Sequence, residues 1–327
     1  MGMKRKIKRI VEETKATFRI AKKTSFHDGF TTFKGKFIIQ KLVKNGYKES
    51  EHDKKILQKK HKIMLEYFER TFGDFLVNYT YDTTNDIIIP ESHNIWVCWW
   101  QGIENAPEIV KKCISSIKKW AGNHQVIIIT EDNYKNYIDV PQIIENKFND
   151  GIISRTNLSD FLRFSLLARY GGMWLDSTFF VNGDLDQYFK EEVWSIKRPD
   201  YLHCSVAGGL FAGYSLQCHS SARWIFKAAR DFFIYYWSNN NFLIDYLLVD
   251  YMLMLVINHN EKAKKLFDSI VPNNPNCDEL LPFINDAFSI SIWNDLKKNT
   301  DLYKLSWKTT ISFEVDSFAN HIFSNEN

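Results

Sequence analysis

The run SDFLRFSLLARYGGMWLDST, from Ser159 to Thr178, constrains the fold more than any other part of the chain. Leu158, Phe161, Leu162, Ser165, Leu166 and Arg169 fall at helical spacing and predict a helix over residues 157–170. Gly171-Gly172 ends it, because glycine readily takes the left-handed backbone that closes a helix. Residues 173–176 then read as a short strand finishing on a carboxylate. Asp160 and Arg163 are three apart and share one helix face. In open α/β sheets, ligands bind beyond the carboxyl ends of strands. Asp176 beside a helix bearing Asp160 and Arg163 would suit a sugar, a ribose or a metal–diphosphate. The same residues also fit a turn acid and a surface ion pair.

The upstream sequence supplies the rest of such a domain. Residues 94–100 (NIWVCWW) and 125–130 (QVIIIT) are buried-strand patterns. A helix is predicted from Pro107 to about residue 120, and short helices broken at Pro141 over residues 134–148. This β-α-β-α-β order predicts an α/β domain with a largely parallel sheet. Residues 51–77 predict a further helix, and the polar stretch 79–93 reads as a linker. The division expected is therefore a helical, basic region over residues 1–90 and a catalytic domain over residues 91–327. The most apolar stretch, 242–257, carries Asp245 and Asp250 and is shorter than the ~20 residues of a membrane span. Read as one helix, it sets those acids about 140° apart, so that one faces the site. Tyr246 and Tyr251 read as core.

Charge is unevenly distributed. The formal net charge is +3, yet residues 1–62 hold 19 Lys and Arg against 6 Asp and Glu, leaving the remainder acidic. Ile7, Ile10, Val11, Thr14, Phe18 and Ala21 form one helical stripe with basic residues mainly off it. Such a helix suits an anionic membrane surface. It also fits a solvated helix packed on the body by that stripe. Nucleic-acid binding is the third option, and no known nucleic-acid motif accompanies the charge. The five cysteines are scattered, without a CxxC pair, and no apolar leader stands at the N-terminus. A cytoplasmic protein, peripheral at the inner face of the cell membrane, is expected. P-loop, GxGxxG and GxSxG motifs are missing from the sequence.

The block resembles the signature of glycosyltransferase family 32 and its capsular-polysaccharide-synthesis relatives, S-D-x-L-R-x-x-x-L-x-x-x-G-G-x-(W/Y)-x-D-x-(D/T). IWVCWWQG upstream, and FLIDYLLVDYM and LYKLSWKT downstream, are similar to the same group, so the likeness covers about residues 91–312. It implies a GT-A (Rossmann-like) fold, a nucleotide-diphospho-sugar donor such as a UDP-sugar, a glycan acceptor that could be lipid-linked, and retention of anomeric configuration. Asp160 and Arg163 would contact donor-sugar hydroxyls, and Asp176 would be the first acid of a DxD-like motif and a metal ligand. Trp96, Gln101 and Gly172 would border the donor, together with Thr178, Asp245, Asp250, Lys304 and Lys308. The motif's third position is Thr178 rather than Asp, a weak neutral ligand for Mn²⁺ or Mg²⁺. Lys304 and Lys308 are candidates to share the diphosphate charge. The competing function is a non-catalytic, glycosyltransferase-like protein that binds glycan or scaffolds the pathway.

Overall fold

The computed structural model describes residues 3–44, 48–81 and 93–324. Three helices come first: α1 (Met3–Lys23), α2 (Phe26–Lys44) and α3 (Glu51–Val77). The longest, α3, begins on a reciprocal cap, in which Ser50 Oγ accepts from the Asp53 N–H and Asp53 Oδ2 accepts from the Ser50 N–H, each at 3.2 Å. Met64, Tyr67, Phe68 and Phe72 then give it a buried stripe.

An α/β body follows: β1 (Ile95–Cys98), α4 (Glu108–Lys119), β2 (Val126–Ile129), α5 (Gln142–Asn149), α6 (Arg155–Tyr170), β3 (Gly172–Leu175), β4 (Phe179–Val181), β5 (Val193–Ser195) and β6 (Ser215–Cys218). The remainder is α7 (Arg223–Asn239), α8 (Leu248–His259), α9 (Glu261–Ser269), α10 (Ile290–Leu296), β7 (Leu302–Lys304) and α11 (Phe318–Ser324). The five-stranded sheet has the order β2-β1-β3-β6-β5. β1 pairs in parallel with β2 and β3, whereas β6 is antiparallel to both β3 and β5. The sheet is largely parallel, as expected: four strands run one way and β6 alone runs against them. β4 and β7 form a separate antiparallel pair.

α6 lies against β1 and β3, with α7 packed over it. Ser154 caps its start, accepting from the Asn157 N–H, and Gly171 ends it at φ +70°. Gly172 also has positive φ, and a Cβ there would stand 2.3 Å from the Asn94 carbonyl oxygen. Glycine at that position lets β3 enter the sheet beside β1.

The expected boundary near residue 90 lies outside the described residues, as does the linker reading over 82–92. On either side of it, side chains from α1, α3 and the body join one apolar cluster. Tyr79, at the near end of that stretch, packs on α7 through a 2.6 Å bond from its hydroxyl to Asp231.

The predicted helix over 242–257 is corrected. α8 starts at Leu248, and Asp245 lies in the turn before it, accepting from the Leu247 N–H. The helical spacing of the two acids therefore does not exist. No helix among the described residues is long and apolar enough to cross a membrane.

Candidate active site

β1 and β3 end side by side, and the chain continues from β1 to β2 on one flank and later returns to β3 on the other. That reversal opens a crevice at the strands' carboxyl ends. Asp176 stands there, one residue beyond β3. Its N–H donates to the Tyr214 carbonyl at 3.0 Å, and its own carbonyl accepts from the Phe179 N–H at 3.1 Å, closing a tight turn.

α6 brings Arg163, a buried guanidinium, to the same point. Its Nη1 lies 3.3 Å from Asp160 Oδ1 and its Nη2 lies 3.4 Å from Asp176 Oδ1. The guanidinium carbon sits 5.1 Å above the centre of the Trp174 ring, and Trp174 Nε1 donates to Asp176 Oδ1 at 3.1 Å. The arginine is therefore held between an aromatic ring and two carboxylates, which its forked guanidinium can engage together.

Lys304 arrives by a different route. β7 pairs with β4 so that Lys304 opposes Phe179, although the two are far apart in sequence. Lys304 Nζ donates to Thr178 Oγ1 at 2.5 Å and lies 3.5 Å from Asp176 Oδ2. α8 contributes Asp250. A Cβ on Gly213 would come within 2.3 Å of Asp250 Oδ1 and 3.6 Å of Arg163 Nη1, so glycine there lets the carboxylate approach the cluster.

Three carboxylates thus converge on two cations. Burial pushes the Asp160 carboxyl up to about 7; Arg163 pulls it back, and Asp250 and Asp176 push it further up. Burial likewise pushes Asp250 up to about 6, opposed by Arg163 and reinforced by Asp176. Buried acids that repel one another in this way titrate as a coupled set. The site's rim is aromatic: Trp99, just past β1, meets the half-exposed Trp307 edge-on with ring centres 6.1 Å apart.

Of the residues picked from sequence, Asp160, Arg163, Asp176, Thr178, Asp250 and Lys304 meet here. Lys308 is exposed, with its Nζ 5.8 Å from the Trp307 ring centre, and Gln101 is exposed in the turn after β1. Three residues lie elsewhere. Trp96 is sealed in the core, its indole N–H donating to the Gly171 carbonyl at 3.0 Å. Gly172 stands at the start of β3, the end opposite Asp176. Asp245 is buried against Lys60 at 2.9 Å, both side chains all but inaccessible.

Tyr246, expected in the core, is 61% exposed, while Tyr251 is fully buried. Although most of its surface is exposed, local burial first, and then the carboxylates Asp160, Asp176 and Asp250, raise the Tyr246 pKa. Sequence reasoning also passed over Trp174 as a site residue, though the signature itself carries an aromatic at that position.

The donor set here suits an ammonium better than a divalent ion. Asp176 Oδ1 already serves Arg163 and Trp174, and Lys304 lies beside its Oδ2 and the Thr178 hydroxyl. No group of three His, Cys, Asp or Glu with metal-holding geometry occurs among the described residues.

The chain belongs to the capsular polysaccharide synthesis protein family, whose model matches residues 44–322. That match takes in α3 as well as the sheet and the Lys304 segment. A search of curated proteins found no match.

Proposed function

We propose that the chain is a GT-A glycosyltransferase related to family 32, transferring a sugar from a nucleotide-diphospho-sugar, a UDP-sugar, to a glycan acceptor during capsular polysaccharide synthesis. The observation that carries this reading is the convergence of Asp160, Asp176 and Asp250 with Arg163 and Lys304 at the carboxyl ends of β1 and β3. A departing nucleoside diphosphate develops negative charge, and preorganised cations in a partly dry site stabilise it. Lys304 stands where it can meet that charge, with Arg163 behind it. Asp160 and Asp250, near neutrality in pKa, can both accept and donate hydrogen bonds to sugar hydroxyls. The exposed Tyr246 ring and the Trp99–Trp307 pair offer faces for the apolar side of a sugar ring or a base. Retention of anomeric configuration is part of the same reading. The protein acts as a peripheral protein at the inner face of the cell membrane, where residues 1–23 hold it near a lipid-linked acceptor.

The test is a donor screen. Purified protein is incubated with UDP- and GDP-sugars, with EDTA or Mn²⁺, and released nucleoside diphosphate is measured. One donor is expected to turn over in EDTA. Asp176→Asn and Lys304→Ala are each expected to lower turnover by about 100-fold or more in folded protein. If Lys304→Ala turns over in EDTA as fast as wild type, the ammonium is not the charge partner. No turnover of any donor under either condition would instead favour a glycan-binding scaffold.

A further inference from the structure

α2 turns its aromatic side away from the protein. Phe26, Phe30, Phe33 and Phe37 stand at i, i+4, i+7 and i+11, one stripe of the helix. Phe26 is 80% exposed, Phe30 53% and Phe37 48%, and Phe33 packs its ring 4.8 Å from that of Phe37. The buried side of α2 is mostly small and polar, Gly29, Thr31, Thr32, Gly35 and Lys36, with Leu42 its one fully buried large apolar residue among the described side chains. A Cβ on Gly29 would lie 2.8 Å from the Thr17 carbonyl of α1, and one on Gly35 would lie 2.8 Å from the Lys60 stem of α3. Lys36 Nζ reaches inward to Glu13 Oε2 and the Ile244 carbonyl, both at 2.7 Å. A phenylalanine stripe facing water gains nothing, whereas burying each ring is worth about 1.5–3 kcal/mol.

α1 repeats the pattern. It buries Ala16 and Ile20 and leaves Ile10 at 57%, Val11 at 46% and Phe18 at 56% exposure. The stripe seen in sequence thus faces outward from Ile10 to Phe18, while its last member, Ala21, packs beside Gly29 of α2; its first member, Ile7, lies outside the described side chains.

Charge identifies the occupant. Residues 3–44 hold 13 Lys and Arg against 3 Asp and Glu. Lys34 Nζ lies 4.7 Å from the Phe30 ring centre, and Lys15, Lys22, Lys23 and Lys41 are exposed. Rings entering the acyl boundary while ammoniums stay at the phosphate level is the arrangement of an interfacial helix on anionic lipid. A second copy of the chain would instead oppose like charges.

We infer that the α1–α2 hairpin is an anionic-membrane face on which Phe26, Phe30 and Phe37 of α2 are the inserting side chains. This deepens the peripheral reading above, moving the apolar contact from α1 alone to α2, and it does not depend on the transfer chemistry. The probe is flotation of the full chain with vesicles of phosphatidylglycerol or of phosphatidylcholine. Wild type is expected to float with phosphatidylglycerol, to be released by salt, and to ignore phosphatidylcholine. Phe26→Ser/Phe30→Ser/Phe37→Ser is expected to bind at least about tenfold more weakly, with unchanged melting. Should that triple variant fail to fold, Phe26→Ser alone is expected to weaken binding in the same direction. Wild type that ignores phosphatidylglycerol would sink the peripheral reading itself. Equal binding by wild type and the folded variants would sink only the assignment to α2. A wild-type dimer broken by the triple variant would give the stripe to a second copy and overturn the inference.

Discussion

Asp160 and Asp250 are carboxylates in surroundings that favour their neutral forms, and this ties the site to stability. A carboxyl whose pKa rises on folding stabilises the native state only while protonated. That contribution is complete below the ordinary value of 3.8 and is lost as pH passes the folded value, about 6 for Asp250 and about 7 for Asp160. Rising pH between those limits should therefore erode stability through these two residues. Asp250→Asn removes one of the charges at no cost in volume. Its melting temperature is expected to exceed that of wild type by about 2 °C or more at pH 8 and to match it near pH 4, by circular dichroism. Equal melting at pH 8 would mean that Arg163 already offsets the burial of Asp250. A site that grows more stable when an acid is neutralised is the trade expected where charges are gathered for chemistry.

At the scale of elements, α3 is bound to the turn before α8 by a buried ion pair. Lys60 and Asp245 approach to 2.9 Å with side chains 0% and 2% exposed. Burial raises the Asp245 carboxyl, but Lys60 and Lys36 override it and hold it below its ordinary range. Lys60→Met should strand that charge and cost about 3–5 kcal/mol in urea unfolding. Adding Asp245→Leu should recover most of the loss, because the desolvated pair gives little beyond what apolar packing can replace. If the double variant is no better than the single, the pair is not the source of the loss.

The same elements show what the sequence made legible. β1, β2, α3, α4 and α6 were visible because continuous apolar runs or clear helical periods mark them, and the glycine pair marked the entry to β3. α2 escaped because its phenylalanines face outward and glycines line much of its inner side, so its apolar residues mark no single inward stripe. β4 and β7 are three residues each, too short for a period, yet their pairing alone carries Lys304 to Thr178. Asp245 was misjudged because an apolar run does not reveal where its helix starts. Asp160, Arg163 and Asp176 were legible because one continuous segment supplies all three.

Across the whole molecule, the helical layer and the α/β body share one interior. Ala16 and Ile20 of α1 and Met64, Phe68 and Phe72 of α3 belong to the same apolar cluster as the sheet. Polar ties cross the same seam: Arg19 Nη1 donates to Asn240 Oδ1 at 2.8 Å, and its guanidinium lies 4.6 Å from the Phe242 ring centre. Glu13 is the carboxylate partner of the nearly buried Lys36. Removing residues 1–23 would therefore do more than remove a membrane contact. It would expose the apolar surface under Ala16 and Ile20 and leave Lys36 without its counter-charge, a loss of about 3 kcal/mol or more. The truncated chain is expected to melt several degrees lower than the full chain, and the full chain to give a single calorimetric peak. Truncation consequently confounds binding with stability, whereas serine substitutions at the exposed rings of α2 leave the buried seam intact. A separate low-temperature peak in the full chain, lost on truncation without change in the main one, would show instead that the helical layer folds as a unit of its own.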